Sequence, residues 1–314
     1  TMIQALKAVL PVKQKVAQKE QKQIRLLLPE KEAREMLQVL EKKNQKARAR
    51  LLDALLVIAK QNEKGMAVLS WERAKEQYGV TMPVVRAMEE KGIVKLESMR
   101  IYRDPLDLMI SRSDQKQEEV KMQTGRDFFL NEEQQLAVQT ILKEWDQKDK
   151  SVYLLHGVTG SGKTEVYMEL IDFVRKQSKQ AIFLIPEIAL TYQMVLRFYQ
   201  RFGSRVSILH SRMSAGERYD QYEKAKNGEI DIMIGPRSAL FTPFSNLGII
   251  IIDEEHEESY KSETVPRYHA RETAQRRAEM EGAKLILGSA TPSVETMYQA
   301  RQGVLKLFTL KKRY

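Results

Sequence analysis

The sequence predicts an α/β protein, in which a small α+β domain precedes a parallel sheet with helices on both faces. Apolar stretches alternate with amphipathic ones from Arg126 onward, and the segment Leu247–Ile252 is apolar throughout, as a strand buried on both faces must be. A glycine-rich turn between the first expected strand and a helix is a third indication. Seven strands are expected, at residues 151–156, 181–185, 205–209, 230–234, 248–252, 284–287 and 304–308.

Composition favours an anionic partner. The chain has 314 residues, and its 52 Lys and Arg against 42 Asp and Glu give a formal charge of +10. Such a surplus suits a polyanion such as nucleic acid. The lack of cysteine excludes disulfides and thiolate metal sites in these residues and suits a reducing cytoplasm. Since no apolar run reaches membrane-spanning length, we expect a cytoplasmic protein without membrane contact.

Ahead of the sheet, the pattern predicts three segments. Residues 1–23 are rich in Lys and Gln and indicate a linker or N-terminal extension. Residues 24–104 combine three helical stretches with two short strands, Ile93–Leu96 and Met99–Tyr102, joined by a tight turn, which is the winged-helix pattern. Residues 105–124 are polar and indicate a second linker, followed by the sheet domain at 125–314. Whether the winged helix binds DNA or protein stays open, because its second helix carries two Glu.

The glycine-rich turn has the spacing of a phosphate-binding loop. Gly157, Gly162, Lys163 and Thr164 occupy the fixed positions of this motif. Glycine leaves room for backbone N–H groups to face a phosphate, Lys163 can reach the β and γ phosphates, and the Thr164 hydroxyl can bind magnesium. A turn that merely fits the spacing is the alternative. The apolar strand before it and the helix after it favour the phosphate site.

The strand at 247–252 ends in three acids, Asp253, Glu254 and Glu255. We expect Asp253 to hold magnesium through water next to Thr164, and Glu254 to orient and deprotonate an attacking water. A solvated acidic loop is the alternative. A phosphate-binding loop in the same sheet favours nucleotide hydrolysis, with Lys163 as the third catalytic residue.

Several segments, taken in order, resemble the motifs of superfamily 2 helicases. GVTGSGKTE at 157–165 and DEEH at 253–256 form the DExH signature, PEIALT at 186–191 resembles motif Ia and GSATPS at 288–293 resembles motif III. GPRSALFTPF at 235–244 resembles motif Ib, with Pro236 where relatives carry Thr. SYKSETVPRYHAR at 259–271 is similar to the aromatic-rich loop of the bacterial replication-restart helicases. The resemblance is specific over residues 125–314.

This resemblance implies a RecA-like first lobe of an ATP-dependent 3′-to-5′ DNA helicase that restarts stalled replication forks and initiates primosome assembly. It implies ATP and Mg²⁺ as cofactors, and zinc only in a second lobe outside this chain. The implied partners are forked and single-stranded DNA, single-strand-binding protein, and primosome and helicase-loader proteins. The chain alone is expected to bind ATP and DNA with little hydrolysis. The implied nucleotide-binding residues are Gly157, Thr159, Gly160, Ser161, Gly162, Lys163, Thr164, Glu165 and Gln134.

Other residues have two open interpretations. Gln134 matches the adenine-reading glutamine of the resembling family, but with Asn131 it also fits a helix cap. Phe128 or Phe129 can pack on the base or in the core. Ser289 and Thr291 can relay the nucleotide state or cap the helix after Pro292.

A further set of residues is predicted to contact DNA or to couple DNA contact to the ATP site. Thr191 and Arg237 are candidates for phosphate contact on single-stranded DNA. Arg267, Tyr268 and His269 can couple DNA contact to the ATP site, or belong to an ordinary packing loop. His256 can form a hydrogen bond between motifs or have a structural role.

Two other functions stay open. Another superfamily 2 translocase, such as a recombination or restriction motor, has the same core motifs, but the loop at 259–271 argues against it. A non-catalytic scaffold that recruits primosome or single-strand-binding proteins is the second alternative. Lys163, Asp253 and Glu254, all present, argue against a purely structural role.

Overall fold

In a computed structural model, the described residues are 20–61, 67–100, 130–147 and 151–313. They belong to two compact units, with residues 20–100 in the smaller and 130–313 in the larger. The linker expected at 105–124 and most of the extension expected at 1–23 lie outside the described residues. The three boundaries between the four predicted segments therefore stay predictions.

The described residues of the smaller unit form four helices and an antiparallel sheet of three strands, in which β1 (Glu20–Leu26) lies between β2 (Val68–Ser70) and β3 (Val94–Arg100). Its core includes Leu52 and Leu55 from the second helix, Leu69 from β2, and Val85 from the fourth helix. The elements are β1 (Glu20–Leu26), α1 (Glu30–Lys42), α2 (Lys46–Gln61), β2 (Val68–Ser70), α3 (Trp71–Tyr78), α4 (Met82–Glu89) and β3 (Val94–Arg100).

The hairpin predicted at Ile93–Leu96 and Met99–Tyr102 is wrong within the described residues, because β3 continues through the expected turn. It pairs along its length with β1, from Glu20 opposite Arg100 to Leu26 opposite Val94. The middle strand thus comes from residues before the helices, four of which had been assigned to the linker. Their sequence, Glu-Gln-Lys-Gln, has no apolar alternation, and the strand is stabilised by pairing on both edges and by the burial of Ile24.

The larger unit is a sheet of seven strands that are all parallel, in the order β10-β4-β9-β8-β5-β7-β6. The predicted α/β class is confirmed, and each predicted strand lies within two residues of an observed one. The strands are β4 (Val152–Gly157), β5 (Gln180–Leu184), β6 (Val206–Ile208), β7 (Ile232–Gly235), β8 (Leu247–Ile252), β9 (Lys284–Ser289) and β10 (Lys306–Leu310). The helices are α5 (Glu132–Lys143), α6 (Lys163–Lys176), α7 (Tyr192–Phe202), α8 (Ala215–Lys226), α9 (Ala270–Glu281) and α10 (Val294–Arg301).

Helices cover both faces of this sheet, which explains the apolar run in β8. Its side chains alternate: Ile249 and Ile251 join the core under α5, α6 and α7, whereas Ile250 and Ile252 join the core under α8 and α9. All six residues of β8 are buried. An apolar residue is therefore required at every position of this strand.

The strand order determines where the chemical motifs meet. Strand β4 leads into the glycine-rich loop and β8 leads into the acids, with β9 between them. Because the C-terminal ends of parallel strands lie on the same side of a sheet, both motifs lie there together. They are separated by the end of β9, Gly288–Ser289. In the part of the chain that the structure describes, no helix is long and apolar enough to cross a membrane.

Candidate active site

The glycine-rich loop has a backbone conformation that favours glycine. Gly160 and Gly162 have φ angles of +80° and +79°, in the left-handed region. A Cβ on Gly157 would lie 2.5 Å from Oγ of Ser161. Ser161 Oγ itself is buried and has no hydrogen-bond partner among the described residues. A buried hydroxyl that lacks a hydrogen-bond partner, within a glycine-rich loop, fits a phosphate-binding site.

Lys163 begins α6 and lies over this loop. Its side chain is 7% exposed, and its ammonium donates a hydrogen bond of 2.8 Å to the Gly157 carbonyl. The same nitrogen lies 3.7 Å from Oε1 of Glu254. The residue predicted to bind phosphate and the residue predicted to activate water are thus brought together. Thr164 follows on the helix and is partly exposed.

Gln134 connects α5 to the loop. It forms a capping box with Asn131, whose backbone N–H donates to the Gln134 Oε1, and its Nε2 donates 3.0 Å to the Ser161 carbonyl. The capping interpretation is confirmed. Since Gln134 is fully buried with both ends of its amide bonded, adenine reading would require it to leave Ser161, and stays a prediction. Phe128 and Phe129 lie outside the described residues.

Glu165 forms an ion pair, and its nucleotide-binding role stays a prediction. Its side chain is 8% exposed and accepts a hydrogen bond from Arg197 on α7. Because the carboxylate is buried, this ion pair joins α6 to α7 and avoids the cost of an unpaired charge there. The other carboxylate oxygen, Oε2, lies beside the glycine-rich loop, 3.3 Å from the position that a Cβ on Gly162 would occupy.

Two tyrosines hold Asp253. The Tyr167 hydroxyl donates 2.9 Å to Oδ1 of the carboxylate, and the Tyr260 hydroxyl donates 2.7 Å to the backbone carbonyl. Burial, and then the charge of Glu254, raise the pKa of Asp253 to about 6. Burial and the Asp253 charge also raise the pKa of both tyrosines well above their ordinary value. Both hydroxyls therefore keep their protons and act as donors.

Glu254 lies between two cationic or polar neighbours. It has a left-handed φ of 48°, and its carboxylate oxygens are 3.7 Å from Lys163 Nζ and 3.7 Å from His256 Nδ1. A non-glycine residue in this region is uncommon and is found often at functional sites. The turn directs Glu254 toward Lys163 in the glycine-rich loop, whereas Glu255 faces the protein interior.

The hydrogen bond predicted for His256 is present. Its Nδ1 lies 2.8 Å from Oγ of Ser289, which also accepts from the backbone N–H of Thr291 at 3.0 Å. Ser289 thus joins the end of β9 to the acid cluster. The alternative that Ser289 or Thr291 caps the next helix is wrong, because Ser293 is the N-cap of α10.

Sequence reasoning missed Glu255, the third acid. Its buried carboxylate accepts hydrogen bonds from Arg271 at 2.9 Å, from the Ser293 N–H at 2.7 Å and from Thr296 Oγ1 at 3.1 Å. It therefore fastens the acid cluster to α9 and α10. The position inside DEEH was the only signal, and it did not distinguish this acid from its neighbours.

Arg237 forms hydrogen bonds to the backbone of the loop at 259–271. One guanidinium nitrogen donates to the carbonyls of Ser259 and Lys261, so this side chain supports the loop in the present conformation. Contact between Arg237 and a DNA phosphate stays a prediction. Tyr268 packs edge-on against Phe241, with ring centroids 5.3 Å apart. Burial of the hydroxyl raises the pKa of Tyr268.

The other predicted contact residues have different environments. His269 is the N-cap of α9, and burial together with Arg271 lowers its pKa. Arg267 is exposed. Thr191 is also exposed, and its hydroxyl caps α7 by accepting from the Met194 N–H. A cavity of about 730 Å³ is lined by residues of both the loop and the acid cluster, among them His256, Lys261, Arg267, His269, Glu272 and Glu295.

Comparison with known proteins agrees with these motifs. The family described as type III restriction enzyme, res subunit, matches residues 127–294. Replication restart protein PriA of Bacillus subtilis (strain 168) is 46% identical over 230 residues, which is 73% of this chain and 27% of that protein. Replication restart protein PriA of Chlamydia trachomatis is 48% identical over 185 residues, which is 59% of this chain and 25% of that protein.

Among solved structures, one titled as RecG bound to a three-way DNA junction aligns with 60% of this chain and 24% of that chain, at 24% identity and a TM-score of 0.45. The chain spans about a quarter of the length of the curated relatives that it matches.

Proposed function

We propose that this chain, which belongs to the family described as type III restriction enzyme, res subunit, is the nucleotide-binding lobe of a replication-restart DNA helicase. The full protein would be an ATP-dependent 3′-to-5′ helicase that restarts stalled forks and initiates primosome assembly. Identity of 46% to a replication restart protein over most of the chain supports this choice over a restriction or recombination motor.

One observation carries the proposal: Lys163 from the glycine-rich loop lies 3.7 Å from Glu254 at the end of β8. A phosphate-binding cation and a carboxylate that can activate water are therefore adjacent. Hydrolysis of a nucleotide requires that arrangement, since the γ-phosphate and the attacking water must meet.

The residues present fit ATP and Mg²⁺. Gly160 and Gly162 give the loop its left-handed backbone conformation, and the buried Ser161 hydroxyl, without a hydrogen-bond partner in the described part of the chain, would bond a phosphate oxygen. Lys163 would bind the β and γ phosphates. Thr164 and Asp253 would hold Mg²⁺, which when bound neutralises phosphate charge during transfer. Glu254 orients the attacking water and accepts its proton. Lys163 Nζ and His256 Nδ1 each lie 3.7 Å from one of its carboxylate oxygens.

DNA is the partner that the charge and the loop favour. The chain carries a formal charge of +10, and the loop at 259–271 presents Arg267 to solvent beside the acid cluster. We propose that forked and single-stranded DNA bind on this side, where Tyr268, His269, Ser289 and Thr291 can transmit the contact to Glu254. By resemblance to restart helicases, single-strand-binding protein and primosome or helicase-loader proteins are the proposed protein partners, in the cytoplasm.

The lobe alone should hydrolyse ATP slowly, because a second lobe supplies charge to the transition state. The test is ATP turnover by this chain with and without single-stranded DNA, with Glu254→Gln as the inactive control. Little turnover from either protein, with nucleotide binding intact, is expected. DNA-stimulated turnover equal to that of a two-lobe helicase would contradict the proposal for the chain alone.

DNA binding can be tested by fluorescence anisotropy on forked, duplex and single-stranded DNA at two salt concentrations. Fork-selective binding that survives added salt would place recognition of DNA structure within these residues. Equal loss of binding on all three DNAs would indicate only contacts between cations and phosphates. Removal of one phosphate contact by Arg267→Ala should reduce the salt dependence by about one unit.

A further inference from the structure

Tyr167 lies in a position from which it can act on the metal site. It follows Lys163 by four residues on α6 and is fully buried. Its ring packs at 5.5 Å, centroid to centroid, from Phe183, which is an ordinary core contact. The hydroxyl is different, because it donates 2.9 Å to Oδ1 of Asp253, the carboxylate to which we assign magnesium.

This contact can form because Gly288, in the strand between the two motifs, has no side chain. Strand β9 lies between the strands that carry the loop and the acids, and Gly288 is near its end. A Cβ at Gly288 would lie 1.6 Å from the Tyr167 hydroxyl, 2.8 Å from Cζ of that ring and 3.2 Å from Oδ1 of Asp253. Any larger residue at this position would therefore occupy the place of the hydroxyl. The glycine lets Tyr167 reach Asp253 across β9.

We propose, on the basis of the proposed function, that Tyr167 is a positioning residue that fixes the Asp253 carboxylate for magnesium. A buried hydroxyl without a hydrogen-bond partner is costly, and phenylalanine would fill nearly the same core volume with no hydroxyl to bury. A single hydrogen bond to Oδ1 restricts rotation of the carboxylate, and Tyr260 holds the backbone of the same residue. Tyr167 thus links the helix that begins at the phosphate loop to the acid that would hold the metal.

The test is the affinity of the chain for a fluorescent non-hydrolysable ATP analogue, measured in excess Mg²⁺ and in EDTA. Tyr167→Phe should weaken binding about three- to tenfold in Mg²⁺, as expected for one lost hydrogen bond, and leave binding in EDTA unchanged. The Mg²⁺ concentration that gives half-maximal binding should rise by a similar factor. Tyr222→Phe is the matched control, since this buried tyrosine also donates one hydrogen bond, of 3.1 Å, to the Ser238 carbonyl on the other face of the sheet.

A second comparison separates positioning from packing. If Tyr167 acts through Asp253, then Tyr167→Phe should cause no further loss in an Asp253→Asn background. Equal weakening in Mg²⁺ and in EDTA would mean that Tyr167 only packs, and no change in either would mean that its hydrogen bond does not matter; both overturn the proposal. An unaltered chain that binds no nucleotide in either condition would overturn the proposed function itself, and this inference with it.

Discussion

Glu255 and Arg271 form a buried ion pair that holds three segments of the larger unit together. The guanidinium donates 2.9 Å to the Glu255 carboxylate, and the same nitrogen donates 2.6 Å to Ser293 Oγ and 2.8 Å to Thr296 Oγ1. The Glu255 side chain is 0% exposed. The end of β8, the start of α9 and the start of α10 are therefore fixed relative to one another around the proposed catalytic acids.

Removal of the cation from this pair should be costly. Arg271→Met leaves the Glu255 charge buried and without its ion-pair partner, so we expect the free energy of unfolding to fall by about 3–5 kcal/mol. Urea unfolding monitored by circular dichroism measures the change. Arg276→Met on the same helix is the control, because Arg276 forms an exposed pair with Glu279, and its loss should cost below about 1 kcal/mol. Similar small effects for both variants would contradict the structural role of Glu255.

Gly162 has two reasons to be glycine, and they can be separated. Its φ of +79° disfavours any side chain, and a Cβ would lie 2.1 Å from Nε2 of Gln134. Gly160 has nearly the same φ, +80°, but its Cβ would meet no heavy atom within 4 Å among the described residues. Gly160→Ala therefore measures backbone strain alone, about 1 kcal/mol, whereas Gly162→Ala should destabilise the chain by at least about 1 kcal/mol more. Equal midpoints of thermal unfolding for the two variants would show that the Gln134 side chain moves aside without loss of stability.

The carboxylate of Asp253 should make stability depend on pH. Its folded-state pKa is about 6, above the ordinary value of 3.8, so the folded chain binds this proton more tightly than the unfolded chain does. The resulting stabilisation is present below about pH 4 and is lost as pH rises through about 6. We expect Asp253→Asn, compared with the unaltered chain in EDTA, to gain relative stability between pH 4 and pH 7, by up to about 3 kcal/mol. A difference in unfolding temperature that is constant over this range would contradict the raised pKa.

The sequence predicted the large sheet well because each of its strands has a local signal. Strand β8 has six buried positions and six apolar or glycine residues, so its location follows from composition alone. Strand β1 has no such signal. Four polar residues begin it, and its place between β2 and β3 depends on pairing with partners about 45 and 75 residues away. Local pattern cannot predict contacts of that range.

The site was predictable to a similar degree. Lys163, Asp253 and Glu254 follow from motif spacing, and their proximity follows from the parallel topology. The structural role of Glu255 does not follow, because it depends on the left-handed turn at Glu254 and on hydrogen bonds from Arg271 and from Ser293. Tyr167 was missed since its partner is 86 residues away and the contact depends on Gly288 in a third segment.

The most direct test of the central claim is a nucleotide titration of the unaltered chain and Lys163→Ala in the presence of Mg²⁺. Loss of a buried ammonium that binds phosphate should weaken binding at least about tenfold. Lys176→Ala, at the exposed end of the same helix, should bind like the unaltered chain, since its side chain is 76% exposed. Saturable binding that is lost only with Lys163 is the predicted result. Equal affinity of the Lys163 variant and the unaltered chain would contradict a phosphate site at this loop.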